Sequence, residues 1–124
     1  VDDVTINREI ASKILKHIGF EVETAVDGQE AVNKLSTAAA GYFDAVLMDI
    51  QMPVMDGYAA AKAIRALSDS QQAAIPIIAV TANAFSEDVQ KACDAGMDGH
   101  IAKPIDINNM IATLTDVLTK RNME

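Results

Sequence analysis

The fold is decided by the stretch AVLMDIQMPVMDG, which spans residues 45–57. It opens with the apolar run 45–48 and then changes abruptly to Asp49. A short, continuous apolar run is typical of a strand that is buried on both faces, as in a parallel sheet. Asp56 can cap a helix that continues to Leu67, because the residues between them are rich in alanine. The stretch therefore predicts a buried strand, an acidic residue at its carboxyl end and a helix after it.

Further segments on both sides of this stretch have the character of strands. Residues 75–80 are apolar throughout and end at Thr81, and the short segment 99–102 ends at Lys103. Residues 20–26 alternate between apolar and polar side chains. That alternation predicts a strand with one solvent-facing side, near an edge of the sheet.

Helical periodicity separates these strands. Isoleucines at every fourth position within 6–18 predict a first helix, which Gly19 ends. Further helices are predicted over 30–40, over 86–96 with a serine N-cap and a terminal glycine, and along the apolar stripe of 107–118. Strands that alternate with helices predict right-handed crossovers and a parallel sheet that is covered on both faces.

Three polar residues follow predicted strands directly: Asp49, Thr81 and Lys103. In open α/β sheets, ligands bind at the carboxyl ends of the strands. We therefore expect the functional site at this edge of the sheet, with these three side chains close together.

The acidic pair Asp2 and Asp3 also has the position of residues that end a strand, but only Val1 precedes it. We predict an apolar run just upstream in the natural protein, so that residues 1–124 are one N-terminally truncated domain. Without most of its first strand, the domain should be destabilised, or it should borrow a strand from a second copy as a strand-exchanged dimer.

Composition narrows the class of function. The chain has 124 residues and a formal net charge of -8. Nucleic-acid binders neutralise phosphates with Lys and Arg, so we expect no nucleic-acid contact; an acidic domain suits a divalent cation or a basic partner instead. The apolar stretch 73–82 is far too short to span a membrane, and no leader opens the chain. The single cysteine, Cys93, fits a reducing cytoplasm, and we expect it to be buried on a helix.

Four sequence blocks together resemble the receiver domain of response regulators in two-component signalling; they are 1–3, 48–57, 80–84 and 103–104. The resemblance covers essentially the whole chain except the first strand. It implies a flavodoxin-like fold, with a five-stranded parallel sheet of order 2-1-3-4-5 and helices on both faces. The blocks 81–84 and 99–104 look most like receivers attached to hybrid sensor histidine kinases.

The resemblance also implies roles for residues at the acidic end of the sheet. Asp49 would be the phosphoacceptor, taking a phosphoryl group from a partner's phosphohistidine. Together with Asp49, the side chains of Asp2 and Asp3 and the backbone carbonyl of Gln51 would hold Mg²⁺ or Mn²⁺. Asp3 would be a direct ligand and Asp2 would act through water.

The resemblance further implies that Thr81 donates its hydroxyl to a phosphoryl oxygen and that Lys103 pairs with the phosphoryl group. The chemistry of these residues agrees with those roles. Two unit charges ~4 Å apart interact by about 4 kcal/mol at an effective dielectric near 20, so clustered carboxylates need a cation. Phosphoryl transfer depends mainly on positioning and on neutralising the phosphoryl oxygens. The domain would then be a switch that is not an enzyme on its own, beyond its own phosphorylation and dephosphorylation.

His100 departs from the family pattern, because family members often have Tyr or Phe at this place. Our hypothesis is that His100 still turns inward when Thr81 moves, and that it does so in a pH-sensitive way, since histidine changes charge between about pH 5 and 8. The alternative is a histidine that faces solvent and takes no part in switching.

Three functions stay open at this point. The leading one is a receiver that changes partner binding or relays its phosphoryl group to a histidine-phosphotransfer domain, with a histidine kinase or such a domain as partner. In the full-length protein it would be cytoplasmic, tethered to a membrane sensor, within a hybrid protein-histidine kinase. A Mg²⁺-dependent phosphatase with an aspartyl nucleophile commonly has a second Asp where this chain has Gln51. A binding-only pseudo-receiver is disfavoured by the intact set Asp3, Asp49, Thr81 and Lys103.

Overall fold

The structure is a computed structural model, and the residues it describes are 1–2, 5–38, 42–50, 55–67, 73–81, 86–102 and 107–123. Helices and strands alternate along the chain. They are α1 (Thr5–His17), α2 (Gly28–Thr37), β1 (Val46–Asp49), α3 (Gly57–Arg65), β2 (Ile77–Thr81), α4 (Ser86–Asp94), β3 (Gly99–Ala102) and α5 (Ile107–Met123).

The described strands form one parallel sheet in the order β1-β2-β3. Asp49 is in register with Val80, and Thr81 with Ala102, so the three strands end close to one line. Parallel neighbours with a helix between them confirm the predicted α/β class. The described part of the chain forms three strands, however, and not the five that were predicted.

Alternate residues of β2 face opposite sides of the sheet, as strand geometry requires. Ile77 and Ala79 belong to one apolar cluster, which also contains side chains of α2, α3 and α4. Ile78 belongs to a second cluster, together with Leu15 of α1 and Met110 of α5. The sheet is therefore covered on both faces, which explains why residues 75–80 are apolar throughout.

The predicted strand at residues 20–26 is not formed as a regular strand. A regular strand needs a continuous ladder of hydrogen bonds to a neighbouring strand. On this side of β1, Val1–Asp2 forms only a short ladder of this kind. The amino group of Val1 donates to the Leu47 carbonyl at 2.6 Å, and the Asp49 amide donates to the Val1 carbonyl at 3.0 Å. The Asp2 amide donates to the Ala25 carbonyl at 3.1 Å. This alternation is that of a parallel ladder, so Val1 lies between residue 25 and β1.

An apolar groove of about 540 Å³ lies beside Val1 and Asp2. Segment 19–25 lines one wall and segment 42–47, at the start of β1, lines another. Apolar side chains of both helices on this face also contribute to it; they include Leu15, Leu114 and Leu118. The groove therefore lies between segment 19–25 and β1, on the face that α1 and α5 cover.

Helix α1 does not bury its whole isoleucine stripe. Ile6 and Ile10 are 62% and 48% exposed, whereas Ile14 and Ile18 pack against the second cluster. A helix turns about 100° per residue, so a spacing of four residues drifts by about 40° per step. The stripe therefore winds away from the core over the length of the helix.

Cys93 was predicted to be buried on a helix. This prediction was wrong, because Cys93 is exposed on α4.

One arginine at the end of α3 forms hydrogen bonds near the amino-terminal ends of β2 and β3. The Arg65 guanidinium donates to the Gly96 carbonyl at 2.6 Å and 2.9 Å, to Ala73 at 2.7 Å and to Ile75 at 2.6 Å. It also forms an ion pair with Asp98 at 2.8 Å. These bonds connect α3 to the segments that lead into β2 and β3, far from the carboxyl ends of the strands.

Candidate functional site

Two of the predicted site residues end neighbouring strands. Asp49 is the last residue of β1 and Thr81 is the last residue of β2. Because Asp49 is in register with Val80, Thr81 lies one residue further along the adjacent strand. Asp49 is 4% exposed and Thr81 is 6% exposed. The structure thus brings a buried carboxylate and a buried hydroxyl to the same edge of the sheet.

Asp2 is brought to this edge by the ladder on the other side of β1. The bond from the Asp49 amide to the Val1 carbonyl places Asp2 directly beside the end of β1. Asp2 is also buried, with 9% of its surface exposed. Asp2, Asp49 and Thr81 are the only buried polar or charged residues in the described part of the chain.

Glycine at position 57 lets α3 approach the end of β1. A Cβ on Gly57 would collide with the Asp49 carbonyl oxygen and would lie 2.8 Å from the Ile50 Cα. The Gly57 amide donates to the Ile50 carbonyl at 2.9 Å, which connects the start of α3 to the residue that follows β1. The Asp56 side chain caps α3 by accepting from the Ala59 amide at 2.8 Å, as predicted. Backbone packing therefore fixes the position of Asp49.

A second glycine brings α2 to the same region. Asp27 is the N-cap of α2 and accepts from the Glu30 amide at 2.9 Å, so the helix begins two residues before the predicted 30–40. A Cβ on Gly28 would lie 2.7 Å from the Met55 carbonyl oxygen and 2.8 Å from the Ala60 Cβ. The start of α2 is therefore packed directly against the segment that follows the site.

The pattern of the sequence did not reveal Arg8 as part of this region. Its Nη1 donates to the Asp2 carbonyl at 2.7 Å, and its Nη2 donates to the Thr5 Oγ1 at 3.1 Å. A lone cation shortly after an acidic pair, in a chain of net charge -8, was the available signal. It is weak, because such a residue is more often an exposed surface charge.

The buried oxygen atoms of this edge fit a hard cation. Carboxylates at the ends of adjacent strands repel each other unless positive charge neutralises them, and Mg²⁺ prefers carboxylate and carbonyl oxygens. The described residues contain no group of three or more His, Cys, Asp or Glu side chains that could hold a metal. The predicted ligands Asp3 and Gln51, and the predicted cation Lys103, lie outside the described residues.

His100 is exposed on β3, two residues before its end. It is in register with Ala79, whereas Thr81 is in register with Ala102. His100 is therefore exposed on the strand beyond β2, and its role in switching stays a prediction. None of the helices that the structure describes is both long enough and apolar enough to span a membrane.

Comparison with known proteins places this architecture in a family. The family described as the response regulator receiver domain matches residues 1–115. Hybrid signal transduction histidine kinase L of Dictyostelium discoideum is 44% identical over 108 residues, which are 85% of this chain and 6% of that protein. Sensor histidine kinase RcsC of Escherichia coli is 40% identical over 115 residues, which are 93% of this chain and 11% of that protein. The chain thus spans only a small part of either kinase.

A solved structure agrees with these relatives. The receiver domain of sensor histidine kinase PA1611 from Pseudomonas aeruginosa has a TM-score of 0.85 and 34% identity to this chain. The match covers 96% of this chain and 93% of that one. That structure has a magnesium ion coordinated in its active site cleft. The predicted flavodoxin-like fold is confirmed by this likeness.

Proposed function

Because the chain belongs to the response regulator receiver domain family, we propose that Asp49 is the residue that accepts the phosphoryl group. The function is that of a phosphoryl-accepting signalling switch. The observation that carries the assignment is the burial of Asp49 beside Asp2 and Thr81, at the carboxyl end of a parallel sheet. A carboxylate that attacks phosphorus needs only to be ionised, oriented and reachable, so no separate general base is required.

Thr81 responds to the phosphoryl group in this proposal. Its hydroxyl ends the neighbouring strand and can donate to a phosphoryl oxygen on Asp49, while Lys103 pairs with the same group. A phosphoryl group adds charge and strong acceptor oxygens, which draw Thr81 and Lys103 inward. That local change biases a two-state equilibrium at a distant surface of the domain and thereby changes partner binding.

Mg²⁺, or Mn²⁺, is the cofactor that the donor atoms of this edge suit. Asp2 and Asp49 provide buried carboxylates, and we propose Asp3 and the Gln51 carbonyl as the further ligands. When bound, the ion neutralises the carboxylates and the phosphoryl oxygens and so favours transfer. This proposal is supported by the oxygen chemistry of the site and by the magnesium ion in the related PA1611 structure.

The partner is a phosphorylated histidine on a kinase or on a histidine-phosphotransfer domain. The similarity to hybrid histidine kinases supports this, because their receiver domain is one part of a longer chain. We propose that this domain belongs to such a protein, acts on the cytoplasmic side and has no kinase activity of its own. Its own reactions are limited to gaining and losing the phosphoryl group.

Intact-mass spectrometry after incubation with acetyl phosphate and Mg²⁺ tests the acceptor assignment. We expect one added phosphoryl group on the unmodified chain and none on Asp49→Asn. Asp94→Asn is the matched control, because this exposed carboxylate lies on α4 and should not affect labelling. Labelling that persists in Asp49→Asn would refute the assignment. A folded chain that takes no label would favour the binding-only alternative.

The groove beside Val1 supports a proposal about the extent of the domain. We propose that an apolar strand fills this groove, parallel to β1, and that residues 1–124 act together with it. A second copy could donate such a strand by exchange. A variant with five Val or Ile residues added before Val1 should therefore have a higher denaturation midpoint and remain monomeric in size-exclusion chromatography. An unchanged midpoint would contradict the proposal.

His100 provides a narrower test of the switching mechanism. If the imidazole turns inward when Thr81 moves, its protonation should change the affinity of the phosphorylated domain for its partner. We expect that affinity to differ between about pH 6 and pH 8, and His100→Tyr to remove the difference. Equal affinities at both pH values for the unmodified chain would contradict the proposal that His100 is a pH-sensitive switch.

A further inference from the structure

We infer that Arg8 is a positioning residue, which holds the Val1–Asp2 segment in the place from which the Asp2 carboxylate can bind the metal beside Asp49. This inference rests on the proposed function, because it concerns the same site. Arg8 belongs to α1, is half-buried and lines the groove beside Val1. It reaches the acidic segment through the backbone, by the 2.7 Å bond from its Nη1 to the Asp2 carbonyl.

Backbone hydrogen bonds attach the Val1–Asp2 segment to β1 on one side and to residue 25 on the other. The described backbone bonds connect it to Leu47, Asp49 and Ala25, with one bond each. A ladder this short resists displacement weakly, because each hydrogen bond contributes only about 1 kcal/mol. A bond from a guanidinium is stronger, about 1.5–3 kcal/mol, so Arg8 contributes more to holding this segment than any one of these backbone bonds.

The guanidinium is itself oriented before it meets Asp2. Its Nη2 donates to the Thr5 Oγ1 at 3.1 Å, three residues earlier on the same helix. Two donors of one planar group are therefore used on two different acceptors, which fixes the direction of the side chain. Lysine has a single ammonium group on a flexible stem and cannot fix its direction in this way. The geometry thus distinguishes arginine from lysine at this position.

Positive charge here also favours the clustered carboxylates. Asp2 and Asp49 are buried next to each other in a chain of net charge -8. Because Arg8 donates to a backbone carbonyl of Asp2, its charge lies next to the acidic edge without occupying a carboxylate. This distinguishes a positioning role from a salt bridge that would compete with Mg²⁺.

Mg²⁺ binding measured by titration calorimetry gives the first test, with Arg8→Ala, Arg8→Lys and Lys13→Ala. Groups that orient metal ligands typically change metal affinity by about 10–100-fold when they are removed. We expect Arg8→Ala to weaken Mg²⁺ binding by at least about tenfold and Arg8→Lys by less. Lys13 is exposed on the same helix, so Lys13→Ala removes one positive charge and controls for long-range electrostatics. Equal weakening by Lys13→Ala and Arg8→Ala would overturn the inference.

Hydrogen exchange without metal gives the second test and does not depend on phosphorylation. In Arg8→Ala, the amides of Asp2 and Asp49 should exchange at least about tenfold faster, because their bonds belong to the Val1–Asp2 ladder. The Val46 amide, which donates to the Pro76 carbonyl on the other side of β1, should not change. Uniform acceleration of all three amides would show a general loss of stability and would overturn the positioning role.

The two tests also separate this inference from the proposed function. An unmodified chain that binds no Mg²⁺ and takes no phosphoryl group would refute the proposed function, and the exchange pattern would then decide the role of Arg8 alone. If Arg8→Ala and the unmodified chain bind Mg²⁺ with equal affinity, the role of Arg8 is refuted and the proposed function stays intact.

Discussion

Gly57→Ala should damage both the stability of the domain and the position of Asp49. Gly57 does not have a positive φ, so alanine can adopt its backbone conformation and only space opposes the change. The added Cβ would meet the Asp49 carbonyl and the Ile50 Cα, and both are backbone atoms that cannot rotate away. Helix α3 must therefore move away from the end of β1.

The magnitude follows from three contributions. Overpacking of this kind costs about 1–3 kcal/mol, and stretching the 2.9 Å bond from the Gly57 amide to the Ile50 carbonyl costs about 1 kcal/mol more. Replacing glycine by alanine in the first turn of a helix returns up to about 1 kcal/mol. We therefore expect a net loss of about 2 kcal/mol in the free energy of unfolding.

Gly99→Ala is the matched control for this change. A Cβ on Gly99 would lie 3.4 Å from the Thr113 Cγ2 and 3.5 Å from the Val117 Cγ2, which are ordinary contacts. Its free energy of unfolding should stay within about 1 kcal/mol of the unmodified chain. Urea denaturation measures both variants, and the rate of labelling by acetyl phosphate is measured without denaturant. Because misplacement by about 1 Å can cost 100-fold in rate, labelling of Gly57→Ala should fall at least about tenfold. If Gly57→Ala matches Gly99→Ala in both measurements, the packing argument is wrong.

Two further changes test parts of the fold away from the site. Arg65→Ala removes a charged donor from three carbonyls and should lower the free energy of unfolding, measured in urea, by about 3 kcal/mol. Glu30→Gln breaks the half-exposed ion pair of Glu30 with Lys34, which is 3.8 Å long. It should change the free energy of unfolding by less than about 0.5 kcal/mol. Glu23→Gln should lower the pKa of Tyr42, followed by ring NMR signals, towards its ordinary value of 10.0, because the hydrogen bond from the phenol to Glu23 and the negative charge of Glu23 raise it. A raised pKa means that this contact stabilises the fold below the ordinary pKa and is lost as pH rises through the raised value. Comparable losses in Arg65→Ala and Glu30→Gln, or an unchanged Tyr42 titration, would refute the respective statement.

Local sequence patterns predicted those parts of the fold that depend on local physics. The strand 99–102 forms as predicted, and the apolar run 45–48 forms β1 with Asp49 at its end. The Asp56 cap also forms, because a cap depends on only four successive residues. Since parallel strands share one carboxyl edge, the same pattern sufficed to bring Asp49 and Thr81 together.

Other features depend on contacts between distant segments, which one sequence does not show. Residues 20–26 alternate correctly for a strand, but a ladder needs a partner of equal length. Ile6 and Ile10 are apolar but exposed, because only tertiary packing decides which face of α1 is buried. The bond of Arg8 to a backbone carbonyl leaves no pattern in the sequence, since any residue type provides that acceptor.

The distance along the chain between Asp2, Asp49 and Thr81 has a consequence for protein synthesis. A ribosome releases these residues far apart in time, and the hydrogen bonds that join β1 to β2 form only after β2 has emerged. Nascent chains that end earlier have Asp49 and the Val1–Asp2 segment, but not the strand that ends in Thr81. The edge that brings Asp49 and Thr81 together is therefore complete only once β2 has joined β1.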